Sequence, residues 1–162
     1  MFTESLIAHA SAVLDKCRAK GFTLATAESC TGGLIAALFT DIAGSSDVFE
    51  RGLITYSYRS KTELLGVETA MLEKHGAVSD QVVSVMASQA RQRSKVDIAV
   101  AVSGIAGPGG AVPGKPVGTV FIGVSSSANL IVQRFQFGGD RSDVRMQTVE
   151  KALEMIKAEL KR

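Results

Sequence analysis

The sequence predicts an α/β domain, a three-layer α/β/α sandwich around a mixed, mostly parallel sheet that finishes in an antiparallel hairpin. Three observations predict it. Helix-spaced and strand-like segments alternate along the N-terminal part of the chain, the arrangement that produces crossover connections and parallel pairing. The run "VDIAVAVSG" (96–104) is apolar almost without interruption, as strands buried on both faces are. Finally, "TVFIGVSSS" and "NLIVQRFQF" flank a short Ser-Ala-Asn turn, which is hairpin spacing.

Taken in order, the spacing predicts a helix over residues 3–20, stopped by Gly21 at a C′ position. A strand follows in "FTLATAE" (22–28), then a helix from Thr31 to Asp41. "ERGLITYS" (50–57) reads as the next strand and "RSKTELLG" (59–66) as a short helix. His75 falls in a connecting segment that breaks at Gly76. Ser79 is placed to cap "DQVVSVMASQARQRS" (80–94), where Val82, Val83, Met86 and Ala90 form an apolar stripe. After the buried strand comes the loop "GIAGPGGAVPGKPVG", then the hairpin, then a closing helix from "GDRSDVR" onward, acidic at its start and basic at its end. Residues 1–162 read as a single domain, without linker or repeat.

Composition narrows the function. With 162 residues, 46% hydrophobic and 21% charged, the chain can bury a core and is not a disordered one. A net charge of +2, with no Lys/Arg cluster interleaved with aromatics, gives no nucleic-acid footprint. No apolar run approaches the about 20 residues that cross a bilayer. Two cysteines, Cys17 and Cys30, and an amphipathic rather than signal-like start fit a reduced cytoplasm. His9 and His75 are far apart and outside any Cys/His cluster, so no metal is expected. Apolar helix surface leaves room for a homo-oligomer, a dimer first, with no helix assigned to the contact.

The segment that invites chemistry is "TAESCTGG" (26–33), between a strand and a helix. Ser29 there is either a helix N-cap or a nucleophile raised at a bend. Cys30, Thr31, Gly32 and Gly33 would open the helix, and their amides could hold the oxygen of a tetrahedral intermediate. A hydroxyl needs a base, and neither histidine is well placed. Lys61 follows the next strand and would reach the same sheet edge if the two strands are parallel, giving a Ser–Lys pair. It must then be neutral, and moving a lysine from about 10.4 to about 7–8 requires roughly 4 kcal/mol of burial or charge. The alternative is an ordinary solvated lysine. Tyr56, at the strand end, could bond the serine or the lysine, or simply pack. Cys30 is a rival nucleophile whose pKa a helix start would lower. Glu28 is a strand-end charge or a partner for the lysine. Arg141 and Arg145 in "GDRSDVR", together with the amides of that helix start, could bind phosphate, as could the "SGIAGPGG" loop; the default reading of the two arginines is a solvated helix face. Ser103, Gly107, Gly118 and Thr119 are weaker pocket candidates.

"TAESCTGG", "GSSDVFERGLITYS" followed by Lys61, "HGAVS", "VSGIAGPGG", "KPVGTV" and "GDRSDVR" together resemble the CinA C-terminal domain family, in order and over nearly the whole chain. The resemblance is to its stand-alone form, the nicotinamide-nucleotide amidases of the PncC type. It implies metal-independent, cofactor-free hydrolysis of the carboxamide of nicotinamide mononucleotide in pyridine-nucleotide salvage. Ser29 would then be nucleophile, Lys61 base and Tyr56 the accompanying tyrosine, with Arg145 favoured as a ligand contact. Tyr58 stands where many relatives carry a small polar residue. Two other readings remain: a silent nucleotide-binding module serving competence or DNA-damage responses, and a hydrolase of another small amide.

Overall fold

The computed structural model describes residues 2–162. Helix α1 (Glu4–Lys20) is capped by the Thr3 side chain and ends at Gly21 in the left-handed region. It leads into β1 (Leu24–Glu28), α2 (Leu34–Thr40), a 3-10 turn at Ser45–Asp47, β2 (Phe49–Ile54) and α3 (Tyr58–Leu65). Helix α4 (Thr69–His75) makes a helix of the segment expected to be a connection, and His75 is its last residue. Then come α5 (Asp80–Ser94), β3 (Ile98–Gly104), β4 (Thr119–Ser125), β5 (Leu130–Gln136) and α6 (Arg141–Glu159). Ser79 accepts from the Val82 amide as an N-cap should.

The five strands lie in the order β2-β1-β3-β4-β5. β1 pairs parallel with β2 and with β3, while β4 and β5 pair antiparallel, as the hairpin reading expects. Strand alternation sorts the two faces. On β3, Ile98, Val100 and Val102 face the layer of α1, α2 and α6; Ala99 and Ala101 face the layer of α3, α4 and α5. The small residues let α5 lie close to the sheet. At Gly123 a β-carbon would meet Val83 Cγ1 at 2.9 Å, so the approach leaves no space for one. Each layer has its own buried core, and β3, between them, is buried along nearly its whole length.

This topology positions the site. The chain leaves β1 toward β2 on one side and leaves β3 toward β4 on the other, so the carboxyl ends of the adjacent strands β1 and β3 flank a crevice. Such switch points are where open α/β sheets bind ligands.

Candidate active site

The turn from Ser29 to Gly33 begins where β1 stops. Ser29 donates its amide to Val102 O at 3.0 Å, extending the β1–β3 ladder by one residue. Gly32 then donates to Ser29 O at 3.0 Å and closes the turn. Gly33, at φ 99°, is the residue before α2, which therefore starts three residues later than the sequence suggests. A β-carbon there would both strain the backbone and approach Ile54 Cδ1 to 3.0 Å.

Ser29 does not cap α2. That task falls to Glu28, whose role the sequence left open between a surface charge and a lysine partner. Alternation turns Glu28 toward the α2 layer, buried. Its two oxygens accept from the amides of Gly33, Ile35 and Ala36 and from the hydroxyls of Thr26 and Thr31, at 2.6–3.1 Å. Gly33 is thereby excluded as an oxyanion donor, and Gly32 is committed to Ser29 O. The amides of Cys30 and Thr31 donate to no backbone carbonyl among the described residues and have only the Cys30 thiol beside them.

Alternation turns Ser29 the other way, toward α3. The parallel pairing of β1 and β2 brings the chain after β2 to the same edge, where Ser57 and Ser60 form a capping box and start α3. One turn in, Lys61 is 1% exposed and reaches back over the sheet end. Its Nζ donates to Ser29 Oγ at 3.0 Å and to Thr55 O at 2.5 Å. Burial pulls the Lys61 pKa down to about 8, a neighbouring Cys30 opposing this slightly. Cys30 behaves opposite to expectation: burial pushes its thiol up to about 12, so a helix start does not activate it.

Ser29, Lys61, Cys30, Tyr56, Ser103 and Arg141 line one cavity of ≈ 180 Å³. Tyr56 stands two residues past the end of β2 and bonds neither Ser29 nor Lys61. Its hydroxyl accepts from Arg141 Nη2 at 2.9 Å, and the Arg141 Nη1 donates to Gly107 O at 2.8 Å. Tyr58 turns away, accepting from the Ala77 amide. Arg141 also lines an adjoining cleft of ≈ 510 Å³ with Gly107, Val117 and Ser142. The start of α6 is less suited to an anion than the sequence suggests, because Asp140 and Asp143 cap it reciprocally and put two carboxylates there.

Arg145 is neither a solvated residue nor turned to the cavity. Its Nε donates to Cys30 O at 3.1 Å and its Nη2 to Thr31 O at 2.8 Å, clamping the Ser29 turn to α6. Gly118 and Thr119 also lie off the cavity. A β-carbon at Gly118, φ 90°, would sit 2.0 Å from Phe137 O, and the single Thr119 hydroxyl proton is shared between Pro116 O at 2.7 Å and Gln136 Oε1 at 3.0 Å. Both serve the loop end. Among the described residues no group of three or more His, Cys, Asp or Glu side chains is arranged to hold a metal, and no helix is long and apolar enough to cross a membrane.

Residues 7–160 match the family model described as CinA C-terminal domain. The chain is 51% identical over 140 residues to a CinA-like protein of Geotalea daltonii, covering 86% of this chain but 34% of that protein. It therefore spans about a third of the length of such relatives. A protein of Enterobacter agglomerans named nicotinamide-nucleotide amidohydrolase PncC is 53% identical over 131 residues, 80% of each chain. Among solved structures, the competence/damage inducible protein CihA of Agrobacterium tumefaciens superposes with a TM-score of 0.95 at 42% identity, covering 100% of this chain and 99% of that one. The competence damage-inducible protein A of Klebsiella pneumoniae gives 0.94 at 34% identity, covering 97% and 98%.

Proposed function

The chain belongs to the CinA C-terminal domain family, and from that premise we propose that it hydrolyses the carboxamide of nicotinamide mononucleotide to nicotinate mononucleotide and ammonia. The observation that carries this reading is the buried Lys61 Nζ at 3.0 Å from Ser29 Oγ at a cavity that both residues line. The name of the Enterobacter agglomerans relative supports the substrate.

In this reading Ser29 Oγ attacks the amide carbon as its proton passes to neutral Lys61. Desolvation has already brought that lysine to about 8, close to where a general base works best. The pyridinium charge of the substrate disfavours a second cation beside it and so keeps the amine neutral once bound. The amides of Cys30 and Thr31, which donate to no carbonyl of the protein among the described residues, face the oxygen on which negative charge develops. Each such donor contributes about 3–4 kcal/mol to the transition state. Lys61 returns its proton to the departing nitrogen, ammonia leaves, and water cleaves the nicotinyl ester on Ser29. Arg141, which lines both the cavity and the adjoining cleft, is the cation placed to meet the phosphate; Asp140 lines the cleft too, so the phosphate stays on the Arg141 side of it.

Ammonia release from a panel of nicotinamide mononucleotide, nicotinamide, nicotinamide riboside and NAD tests the proposal. The mononucleotide is expected to be preferred. Ser29→Ala and Lys61→Ala should each lose at least about a thousand-fold in kcat while retaining the wild-type circular dichroism spectrum. Undiminished turnover by Ser29→Ala would remove the nucleophile from the scheme.

A further inference from the structure

One polar group in the cavity has no partner in the protein. Ser103, next to last in β3, is 1% exposed, and its Oγ makes no hydrogen bond among the described residues. Leaving a buried hydroxyl unpaired destabilises a fold, and native proteins rarely do so without a reason. Thr55 Oγ1 and Ser94 Oγ are also unpaired, but neither residue lines this cavity, whereas Ser103 does.

Its direction follows from register. Ala27 pairs with Ala101, and both belong to the layer of α5. Ser29 and Ser103 are each two residues further on, so both hydroxyls project to the same face from neighbouring strand ends. Phe121, opposite Ser103 on β4, belongs to that layer too. Lys61 uses its bonds on Ser29 and Thr55 and leaves Ser103 free. A ligand seated against Ser29 therefore meets one acceptor that no protein group has claimed.

We propose that Ser103 is a specificity-determining residue whose Oγ accepts an N–H of the substrate's carboxamide. This deepens the amidase reading and rests on it. A planar carboxamide presents its oxygen and its nitrogen on opposite sides of the carbonyl carbon. With the oxygen toward the amides of Cys30 and Thr31, which can only donate, the nitrogen lies on the β3 side, where Ser103 Oγ accepts from it. A flipped amide would put N–H against N–H and leave the developing charge unsupported. The bond also orients the leaving nitrogen for the proton that Lys61 returns, without any proton passing through Ser103.

The test compares kcat/KM of wild type and Ser103→Ala on nicotinamide mononucleotide and on the methyl ester of nicotinate mononucleotide, which has no N–H and which a serine nucleophile opens more readily than an amide. The amide should lose about ten-fold or more and the ester less than about three-fold, because only the amide is left with an unpaired donor. With no substrate present, the variant's melting temperature should equal or exceed that of wild type, since an unpaired buried hydroxyl has been removed. Equal losses on both substrates, no loss on the amide, or a lowered melting temperature would each make Ser103 structural and overturn the proposal. A wild-type protein that cleaves neither compound overturns the amidase reading itself, and this one with it, before any variant is made.

Discussion

In the proposed reaction Lys61 is the base, and it carries the chemistry that a single residue can predict. Its pKa in the fold is about 8, against 10.5 for an exposed lysine, with burial as the cause. A base must be deprotonated, so kcat/KM should rise with pH, reach half its limit near pH 8, and level off above. The kcat profile should be displaced to lower pH, because the pyridinium of the bound substrate repels the lysine's proton. Steady-state rates from about pH 6 to pH 10 would check this; a flat profile would mean that Lys61 is not the group accepting the proton. Stability follows the same titration. Between about 8 and 10.5 the unfolded chain holds the proton that the folded chain has released, so this group's contribution to stability rises with pH through that window. Below about 8 the penalty for burying the charge is fully present, on the order of 3 kcal/mol.

At the scale of elements, Glu28 is the case that separates local from non-local capping. Thr3, Ser57, Ser79 and Asp140 cap their own helices from the adjoining position, and a sequence displays such caps directly. Helix α2 receives no side-chain bond from its N-cap, Gly33; its donors go to a carboxylate at the end of the preceding strand. This is why the sequence misplaces its start and offers Ser29 as the cap. The same arrangement frees Ser29 for Lys61 and holds the turn between them. Glu28→Gln should therefore be costly although it is nearly isosteric. Whichever way the amide is turned, its NH2 faces N–H or O–H donors that now lack an acceptor, each a loss of about 1–3 kcal/mol. We expect about 2–4 kcal/mol in all, or a fall of about 5–15 °C in melting temperature for a chain of this size. Thermal unfolding by circular dichroism decides it, and a variant melting within about 2 °C of wild type would show that α2 needs no such cap.

For the whole molecule, the two halves of the site were unequally legible. The Ser29–Lys61 pair follows from one assumption, that two successive strand–helix units run parallel, and the sheet satisfies it. The clamp from Arg145 does not follow from any pattern. It joins residues 115 positions apart, and nothing in "GDRSDVR" distinguishes an arginine that binds phosphate from one that binds carbonyls. Its place in the fold gives it a different consequence. Helix α6 packs on the α1 face of the sheet, and Arg145 is the point at which that layer grips the turn whose serine faces the opposite layer. Loss of the grip should loosen the direction of Ser29 and of the Cys30 and Thr31 amides, which the proposed mechanism uses in its transition state, while leaving the cleft proposed for the nucleotide. Arg145→Met is thus expected to lower kcat on nicotinamide mononucleotide by about ten- to a hundred-fold with KM changed less than about three-fold. Arg145→Lys should restore little, since an ammonium cannot span two carbonyls as a guanidinium fork does. The opposite split, a raised KM at undiminished kcat, would make Arg145 a substrate contact after all, and the turn would then have to be held by Glu28 and its own backbone bonds.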